Sequence, residues 1–422
     1  MAKVQLNRFS TDVVCNILSF AGIAFIGILL NAIILKNTSA AILGAFNQNY
    51  ALYILLSQLA VGGFHLSVQK YIPEFAHDKK LSNLILIKAI ILSFISTLIV
   101  FIFGYIGRKL PGVILQSEAV SIGFVYCLPG LFFFSINKVL LSFHNGYRRM
   151  KAFALFQFLR FFLLLSYLYL FFYLKTSPEK LPLILTAAEA TLCLLIFIYS
   201  IPFLKNGFAR ASGWYKTHLN FGMRALTGNF LLDVNTRVDI FILGVFCTDK
   251  IVGIYSFSSL ISEGFMQLPI VLRNVLNPVI TKAYITKPRY VLERIIRKSV
   301  RKNYKFLIVI GLFSVICFPI VLFVFSQQQY FTEMWVIYSI MLIGIIGASG
   351  LIPFQMIFSQ TGFPTLQSKF IFILFAANLL FNLILVPYFG MYGAAIATSM
   401  AYLFINLVQI AWMKKYLSLH IL

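Results

Sequence analysis

The stretch LILIKAIILSFISTLIVFIFGYI, from Leu84 to Ile106, contains a single charged residue, Lys88, in an otherwise apolar and hydroxyl-bearing run. A helix needs about 20 consecutive apolar residues to cross a hydrocarbon core about 30 Å thick. The stretch meets that length, so it is predicted to form a transmembrane helix. It decides the fold class because stretches like it recur along almost the whole chain.

The composition agrees with a membrane protein: 60% of the 422 residues are hydrophobic, 16% are aromatic, and the mean hydropathy is +0.90. These values lie far above those of soluble globular proteins. Twelve candidate spans follow, near Val13 to Leu35, Ile42 to Phe64, Leu84 to Ile106, Ala119 to Ser142, Ala152 to Leu174, Pro182 to Leu204, Asn220 to Phe246, Ile251 to Val275, Tyr304 to Ser326, Met334 to Phe358, Ser368 to Pro387 and Met391 to Met413.

The formal net charge of +23 is explained by topology. Only 11% of residues are charged, which leaves no large polar face for nucleic acid. If the N-terminus is placed in the cytoplasm, the outer loops hold only Lys36, Arg108, Lys109, Lys175, Lys180 and Lys250. Most other Lys and Arg residues then lie on the inner side, as the positive-inside rule requires. The chain is therefore predicted to have both termini in the cytoplasm, with a retained first helix and not a removed signal peptide.

A weak internal repeat organises the spans. ILKNTSAAILGAF (Ile34 to Phe46) matches ILGVFCTDKIVGIY (Ile242 to Tyr255) when Gly44 is placed opposite Gly253. The pattern predicts an all-α integral membrane protein with about twelve transmembrane helices in two six-helix lobes, related as parallel pseudo-repeats around a central cavity. The predicted lobes are residues 1–204 and 220–422, joined by a cytoplasmic linker at 205–219; the second lobe carries a basic cytoplasmic loop at about 276–303. The segment from Lys287 to Lys305, which overlaps that loop, is predicted to form an amphipathic helix on the inner leaflet, with a solvated charge run as the alternative.

Charged residues inside the spans are the candidate functional residues. An unpaired charge in lipid costs about 3 kcal/mol, so such residues must pair or face water. Lys88, Lys138 and Arg224 are each predicted to lie about one turn from a cytoplasmic end, where a long side chain can reach the headgroups. The deeper group is Arg160, Arg237, Asp233, Asp239 and Glu263, with Glu189 at intermediate depth.

Three of these charges fall in DVNTRVDIFILG, from Asp233 to Gly244. On one continuous helix, Asp233 and Arg237 are i and i+4 and can pair, while Asp239 lies on another stripe. A helix with polar groups on two stripes is expected beside a hydrated cavity. The alternative is an internal salt bridge that only fixes helix packing.

Two stretches resemble a known family. GNFLLDVNTRVDIFILGVFCTDKIVGIYSFSSLISEG (Gly228 to Gly264) and NLILVPYFGMYGAAIATSMAYL (Asn382 to Leu403) are similar to segments of the polysaccharide-transporter, or Wzx-type O-antigen flippase, family. That family belongs to the multidrug/oligosaccharidyl-lipid/polysaccharide exporter superfamily. Weaker similarities begin at Leu43, His144 and Phe358, in the family's order over the full length.

The resemblance implies a flippase that moves a polyprenyl-diphosphate-linked oligosaccharide repeat unit across a bacterial cytoplasmic membrane. Arg160 and Arg237, with Arg224 as a third, would attract the diphosphate or acidic sugars. Asp233, Asp239, Glu263 and Glu189 would hold those cations in the empty site or carry a coupling ion, H+ or Na+. No cofactor is expected. Membrane lipids and the pathway's polymerase and chain-length proteins are the expected partners.

Two alternatives remain open at this point. A multidrug or cation antiporter of the same superfamily would favour intramembrane acids. A membrane glycosyltransferase or polymerase would need large loops with catalytic carboxylates. No phosphate loop, metal-ligand spacing or cysteine pairing is encoded, and the histidines lie mostly in loops or at helix ends. The chain is therefore predicted not to be an enzyme.

Overall fold

The computed structural model describes residues 22–204, 207, 212–325 and 328–421, and this part of the chain consists of helices joined by short turns. The beginning of the first predicted span, with Lys3, Arg8 and Cys15, lies outside the described residues, as do 205–206 and 208–211 of the predicted linker. The α-helices, numbered α1 to α16, are Gly22–Asn37, Ala40–Val61, Phe64–Glu74, Lys79–Ile106, Leu110–Ile114, Glu118–Cys127, Gly130–Gly146, Met150–Tyr173, Leu183–Leu204, Trp214–Asn235, Val238–Phe246, Asp249–Thr286, Arg289–Phe325, Phe331–Ser349, Ile357–Gln360 and Pro364–Leu417.

The predicted all-α membrane fold is confirmed, and the helices fall where the twelve spans were predicted. Within the described residues, six helices are long and apolar enough to cross a membrane, and two bent pairs raise that number to eight. The helix α16 holds two predicted spans, because it is broken at Gly390, whose φ of 53° and ψ of −129° are not helical. The remaining predicted spans correspond to the shorter α1, the interrupted pair α10 and α11, and the long α12, which carries charges.

Helix breaks have local causes. The helices α2 and α3 meet at 49° across Gly62 and Gly63, which both have the positive φ that glycine adopts without strain. The helices α6 and α7 meet at 50° where Pro129 precedes Gly130. Each break divides one predicted span into two shorter helices.

The chain forms two compact units. Unit 1 comprises residues 1–31 and 45–233, and its core is formed by α3, α4, α7, α8 and α9 around buried residues such as Phe64, Ile85 and Phe143. Unit 2 comprises residues 32–44 and 234–422. Its core joins α12, α13 and the two halves of α16 around Ile280, Ile296 and Phe370.

The division between the units differs from the predicted linker at 205–219, because it lies between Asp233 and Val234, inside α10. The first part of α10 is attached to unit 1. His218 is fully buried and contacts Ser67 Oγ at 2.7 Å, and Gly222 packs directly on Gly62 and Gly63. Since these contacts are non-local, linker composition alone does not reveal them.

Unit 2 brings the two glycines of the predicted repeat together. A Cβ at Gly44 would overlap the carbonyl oxygen of Asp249, and one at Gly253 would overlap that of Ala40. The contact is reciprocal, as expected when equivalent positions of a pseudo-twofold repeat meet.

The basic segment at about 276–303 is helical, so the predicted amphipathic helix at Lys287 to Lys305 is correct in its secondary structure, but its packing differs from the predicted one. The helices α12 and α13 run through it and are separated only by Lys287 and Pro288. An apolar stripe containing Leu292 and Ile296 is fully buried against Ile280. This stripe packs on protein, so the segment is not a separate helix lying with its apolar face in the leaflet.

Candidate functional site

A buried ion pair lies in unit 1 between Arg160 on α8 and Glu189 on α9. Arg160 Nε is 2.7 Å from Glu189 Oε1, and the two side chains are only 11% and 5% exposed. The Nε–H does not point at that oxygen, so the directed hydrogen bond is the longer one from Arg160 Nη2 to Glu189 Oε2, at 3.4 Å. The short contact is therefore mainly ionic, and it neutralises both charges inside an apolar helix bundle.

Asn137 on α7 completes this pair. Its Nδ2 donates to Glu189 Oε2 at 2.7 Å and to the Glu189 carbonyl oxygen at 2.9 Å. The carboxylate is thus held by an amide from α7 as well as by the guanidinium from α8. Two donors on different helices fix the position of a single acid.

A second cation, Lys138, lies near the same aromatic ring as Arg160, that of Phe134. The Arg160 guanidinium lies 4.8 Å from the centre of the Phe134 ring, and Lys138 Nζ lies 5.7 Å from it. Lys138 also interacts electrostatically with Glu189 and with Asp233. The helix α7 continues to Gly146, eight residues and more than two turns beyond Lys138, so Lys138 lies farther from the end of its helix than the predicted one turn.

Other buried polar groups in unit 1 have unfilled hydrogen-bonding capacity. The acceptor oxygens of Asn49 and Asn137 and the Nδ1 atom of His65 have no hydrogen-bond partner within the described residues. Leaving a buried polar atom unpaired costs about 1–3 kcal/mol. Water or a polar ligand can satisfy these atoms, so the interior of unit 1 is suited to hydration.

Unit 2 holds a separate cluster of acids. Asp239 is buried in the first turn of α11, where the helix dipole favours a negative charge. Its Oδ2 accepts a 2.5 Å hydrogen bond from the Tyr255 hydroxyl, and its Oδ1 accepts one from the Ile240 backbone N–H at 2.9 Å. Arg237 Nη1 lies 3.9 Å from Glu263 Oε1.

The position of Arg237 differs from the predicted one. The helix α10 ends at Asn235, and a turn at Thr236 and Arg237 separates it from α11. Asp233 and Arg237 are therefore not on one continuous helical stripe. The break has no Pro or Gly, and asparagine side chains support it: Asn378 Nδ2 on α16 donates to the Asn235 carbonyl at 3.2 Å.

The predicted site residues thus fall into two groups. Unit 1 brings together Arg160 and Glu189, with Asp233 near Lys138. Unit 2 brings together Arg237 and Glu263, with Asp239 on Tyr255. Arg224 is exposed on α10. The functional roles of all seven stay predictions.

Sequence reasoning did not assign Asn137, Lys138 or Tyr255 to the candidate site. The first two stand next to each other in an apolar span, which is a usable signal for a polar interior face. Tyr255 carries no such signal, because its role depends on a hydrogen bond to Asp239, sixteen positions away and on another helix.

The family follows from a comparison of the sequence with protein-family models. Residues 13–284 match the model described as "Polysaccharide biosynthesis protein". The chain belongs to this family. The predicted resemblance to polysaccharide transporters is confirmed. A comparison with proteins of curated function gives no match.

The fold of the chain is similar to the folds of solved membrane transporters. The chain is similar to a multidrug resistance MATE family transporter in an inward-facing conformation, with a TM-score of 0.79, 14% identity and 94% of each chain covered. It is also similar to the lipid II flippase MurJ, with a TM-score of 0.76, 13% identity, and coverage of 96% of this chain and 87% of the other.

A third similar structure is a MOP superfamily transporter from Pyrococcus furiosus, with a TM-score of 0.66, 15% identity and coverage of 96% and 95%. At these identities the likeness establishes the fold. The predicted multi-pass helical membrane fold is therefore shown for this chain.

Proposed function

We propose that the protein is a flippase that moves a polyprenyl-diphosphate-linked oligosaccharide repeat unit, of an O-antigen or a similar surface polysaccharide, from the inner to the outer face of the bacterial cytoplasmic membrane. The observation that carries the proposal is the family match over residues 13–284. The fold likeness to a lipid II flippase supports a lipid-linked cargo.

The buried charges supply what such a cargo needs. A diphosphate and several sugars cannot cross hydrocarbon unaided, since each stripped polar group costs several kcal/mol. Arg160 and Lys138 present two cations around Phe134, and guanidinium groups bind phosphate oxygens in a bidentate manner. When no cargo is bound, Glu189 neutralises Arg160, which lowers the free-energy cost of burying the cation in the helix bundle. The lipid tail would remain in the bilayer while the head group follows the polar path by alternating access.

A coupling role is proposed for the acids of unit 2. Asp239 combines a buried carboxylate with the Tyr255 hydroxyl, and oxygen ligands of this kind suit H+ or Na+. Transport by Asp239→Asn should lose its dependence on pH or on sodium, while the protein remains folded because the amide oxygen can still accept from Tyr255. Retained ion dependence in this variant would exclude Asp239 as the coupling group.

The cation role is tested with Arg160→Ala, Arg237→Ala and Lys138→Gln in a strain that depends on this protein for surface polysaccharide. Each variant, matched for membrane abundance, should restore polysaccharide poorly. Lys151→Ala is the matched control, because Lys151 is an exposed cation in the first turn of the helix that carries Arg160. Normal polysaccharide from all three variants would refute a cationic path for the cargo.

One observation favours a second function, extrusion of small organic cations: the likeness to a multidrug resistance transporter has a TM-score of 0.79. Under that function, loss of the protein would change drug tolerance and leave lipid-linked intermediates unaltered. The flippase proposal also includes a cytoplasmic location for both termini and association with a polymerase and chain-length proteins.

A further inference from the structure

We propose that the exposed basic face at the start of α13 is a binding site for an organic phosphate. A surface pocket of about 470 Å³ lies along this face, lined by Tyr290, Glu293, Arg294, Arg297, Lys298 and Arg301. This volume is within the range of small-molecule sites in proteins, about 300–1,000 Å³. The inference is independent of the proposed function, because it uses none of the buried charges.

The pocket is built on a fixed framework. His420, just after α16, is held by two side chains of the pocket: Arg297 Nη2 and Nε donate to its carbonyl oxygen at 2.6 and 3.0 Å, and its N–H donates to Glu293 Oε1 at 2.6 Å. The flanking Leu419 and Ile421 are buried in the core of unit 2. The single carboxylate of the pocket is thus engaged with backbone, and the guanidinium of Arg297 is held in place.

Three further cations of the pocket have no acidic partner. Within the part of the chain that the structure describes, no carboxylate forms an ion pair with Arg294, Lys298 or Arg301. They are spaced i, i+4 and i+7, so they follow one face over about 10 Å of helix. Like charges at this spacing repel one another, and an anion bound between them would relieve that repulsion.

The chemistry of the three cations favours phosphate. Arginine presents a planar fork of donors that matches phosphate oxygens, and lysine adds a point charge. Tyr290, also in the pocket, offers a hydroxyl donor and an aromatic face for the organic part of a ligand. A monoester or diester with adjacent polar groups fills such a pocket better than a simple carboxylate, which has only two acceptor oxygens.

The position of the pocket relative to the membrane allows two sources for the phosphate. Apart from Tyr290, the exposed large apolar residues of α13 begin at Phe306, and Arg301 precedes Phe306 by five residues, about 7.5 Å along the helix. The headgroup layer is about 5–7 Å thick on each side of the hydrocarbon core. The pocket therefore lies at the outer edge of the headgroups, where an anionic phospholipid and a soluble organic phosphate can both reach it.

The test uses two triple variants of the full-length protein. The pocket variant is Arg294→Gln, Lys298→Gln and Arg301→Gln. The control variant is Arg289→Gln, Lys302→Gln and Lys305→Gln, which removes the same charge from exposed residues of the same helix that do not line the pocket. Neither variant touches Glu293 or Arg297, so the contacts of His420 remain, and unfolding temperatures should confirm that both variants fold.

Two binding measurements distinguish the sources. Inorganic pyrophosphate is titrated into protein held in phosphatidylcholine nanodiscs, and retention of phosphatidylglycerol by the detergent-solubilised protein is counted by native mass spectrometry. The wild type should bind in at least one measurement, and the pocket variant should lose at least about tenfold in affinity or occupancy there, while the control variant stays within about twofold. Loss of pyrophosphate binding identifies a soluble phosphate, and loss of phosphatidylglycerol alone identifies a lipid. Equal losses in both variants, or no binding by the wild type in either measurement, would overturn the proposal.

Discussion

The ion pair between Arg160 and Glu189 makes the sharpest prediction about stability. Both side chains are almost wholly buried, and Glu189 also accepts a hydrogen bond from the amide of Asn137. Removing one member of a buried pair leaves an uncompensated charge and costs about 3–5 kcal/mol. Arg160→Met and Glu189→Gln should therefore each lower the free energy of unfolding by about that amount.

The double variant is expected to behave differently from the sum of its parts. With both charges removed, neither member of the pair is left without its partner, Lys138 keeps its interaction with Asp233, and the amide oxygen that replaces the Glu189 carboxylate can still accept the hydrogen bond from Asn137. Replacing a buried pair by neutral groups of similar size is often nearly neutral. The double variant should thus lie within about 2 kcal/mol of the wild type, which gives a coupling energy of several kcal/mol in a double-mutant cycle.

Thermal unfolding of the purified protein in detergent, followed by tryptophan fluorescence, is a suitable assay. At about 2–4 °C per kcal/mol for a unit of roughly 200 residues, each single variant should unfold about 6–20 °C lower. Lys151→Met and Glu179→Gln, which remove one exposed charge each, should shift unfolding by no more than about 0.5 kcal/mol. Single variants as stable as these controls, or a double variant whose loss equals the sum, would show that the pair is not a buried, mutually dependent unit.

The close contacts described above make further predictions. Gly44→Ala and Gly253→Ala should each destabilise the protein by about 1–3 kcal/mol or more, because the added Cβ overlaps a backbone carbonyl; Gly264→Ala, with nothing within 4 Å, should instead be neutral or stabilising in the same unfolding assay. Ser67→Ala removes the 2.7 Å partner of buried His218 and should cost about 1–3 kcal/mol, whereas no loss would mean that water replaces the hydroxyl. Ile296→Ala should cost about 2–5 kcal/mol by opening a cavity in the core of unit 2, and an unchanged unfolding temperature would indicate that the basic part of α13 does not pack on protein.

The membrane-spanning helices could be predicted from the sequence because they depend on local composition. An apolar stretch such as Leu84 to Ile106 is stable in a bilayer as a helix, because a helix satisfies its own backbone hydrogen bonds. The repeat that aligned Gly44 with Gly253 was also informative, although its few matching positions did not reveal that the two glycines touch. The glycines identified equivalent positions, and the contact between them follows from the fold.

Contacts between residues that are far apart in the chain could not be predicted in the same way. The sequence separated deep charges from shallow ones, yet the helix of Lys138 was expected to end one turn later, whereas α7 continues for eight residues beyond Lys138. It placed Asp233 and Arg237 on one stripe because nothing local marks the break after Asn235, which contacts Asn378, 143 positions along the chain. The basic segment was predicted as a helix lying on the leaflet because its apolar stripe stands beside many cations, while Leu292 and Ile296 pack in the core of unit 2.

The most direct test of the proposed function is the lipid content of cells that lack this protein. Polyprenyl-diphosphate-linked intermediates would be extracted from the deletion strain and from the complemented strain and compared by mass spectrometry. The flippase account predicts that single, unpolymerised repeat units accumulate on deletion and that surface polysaccharide is lost. An unchanged lipid pool together with altered drug tolerance would contradict it.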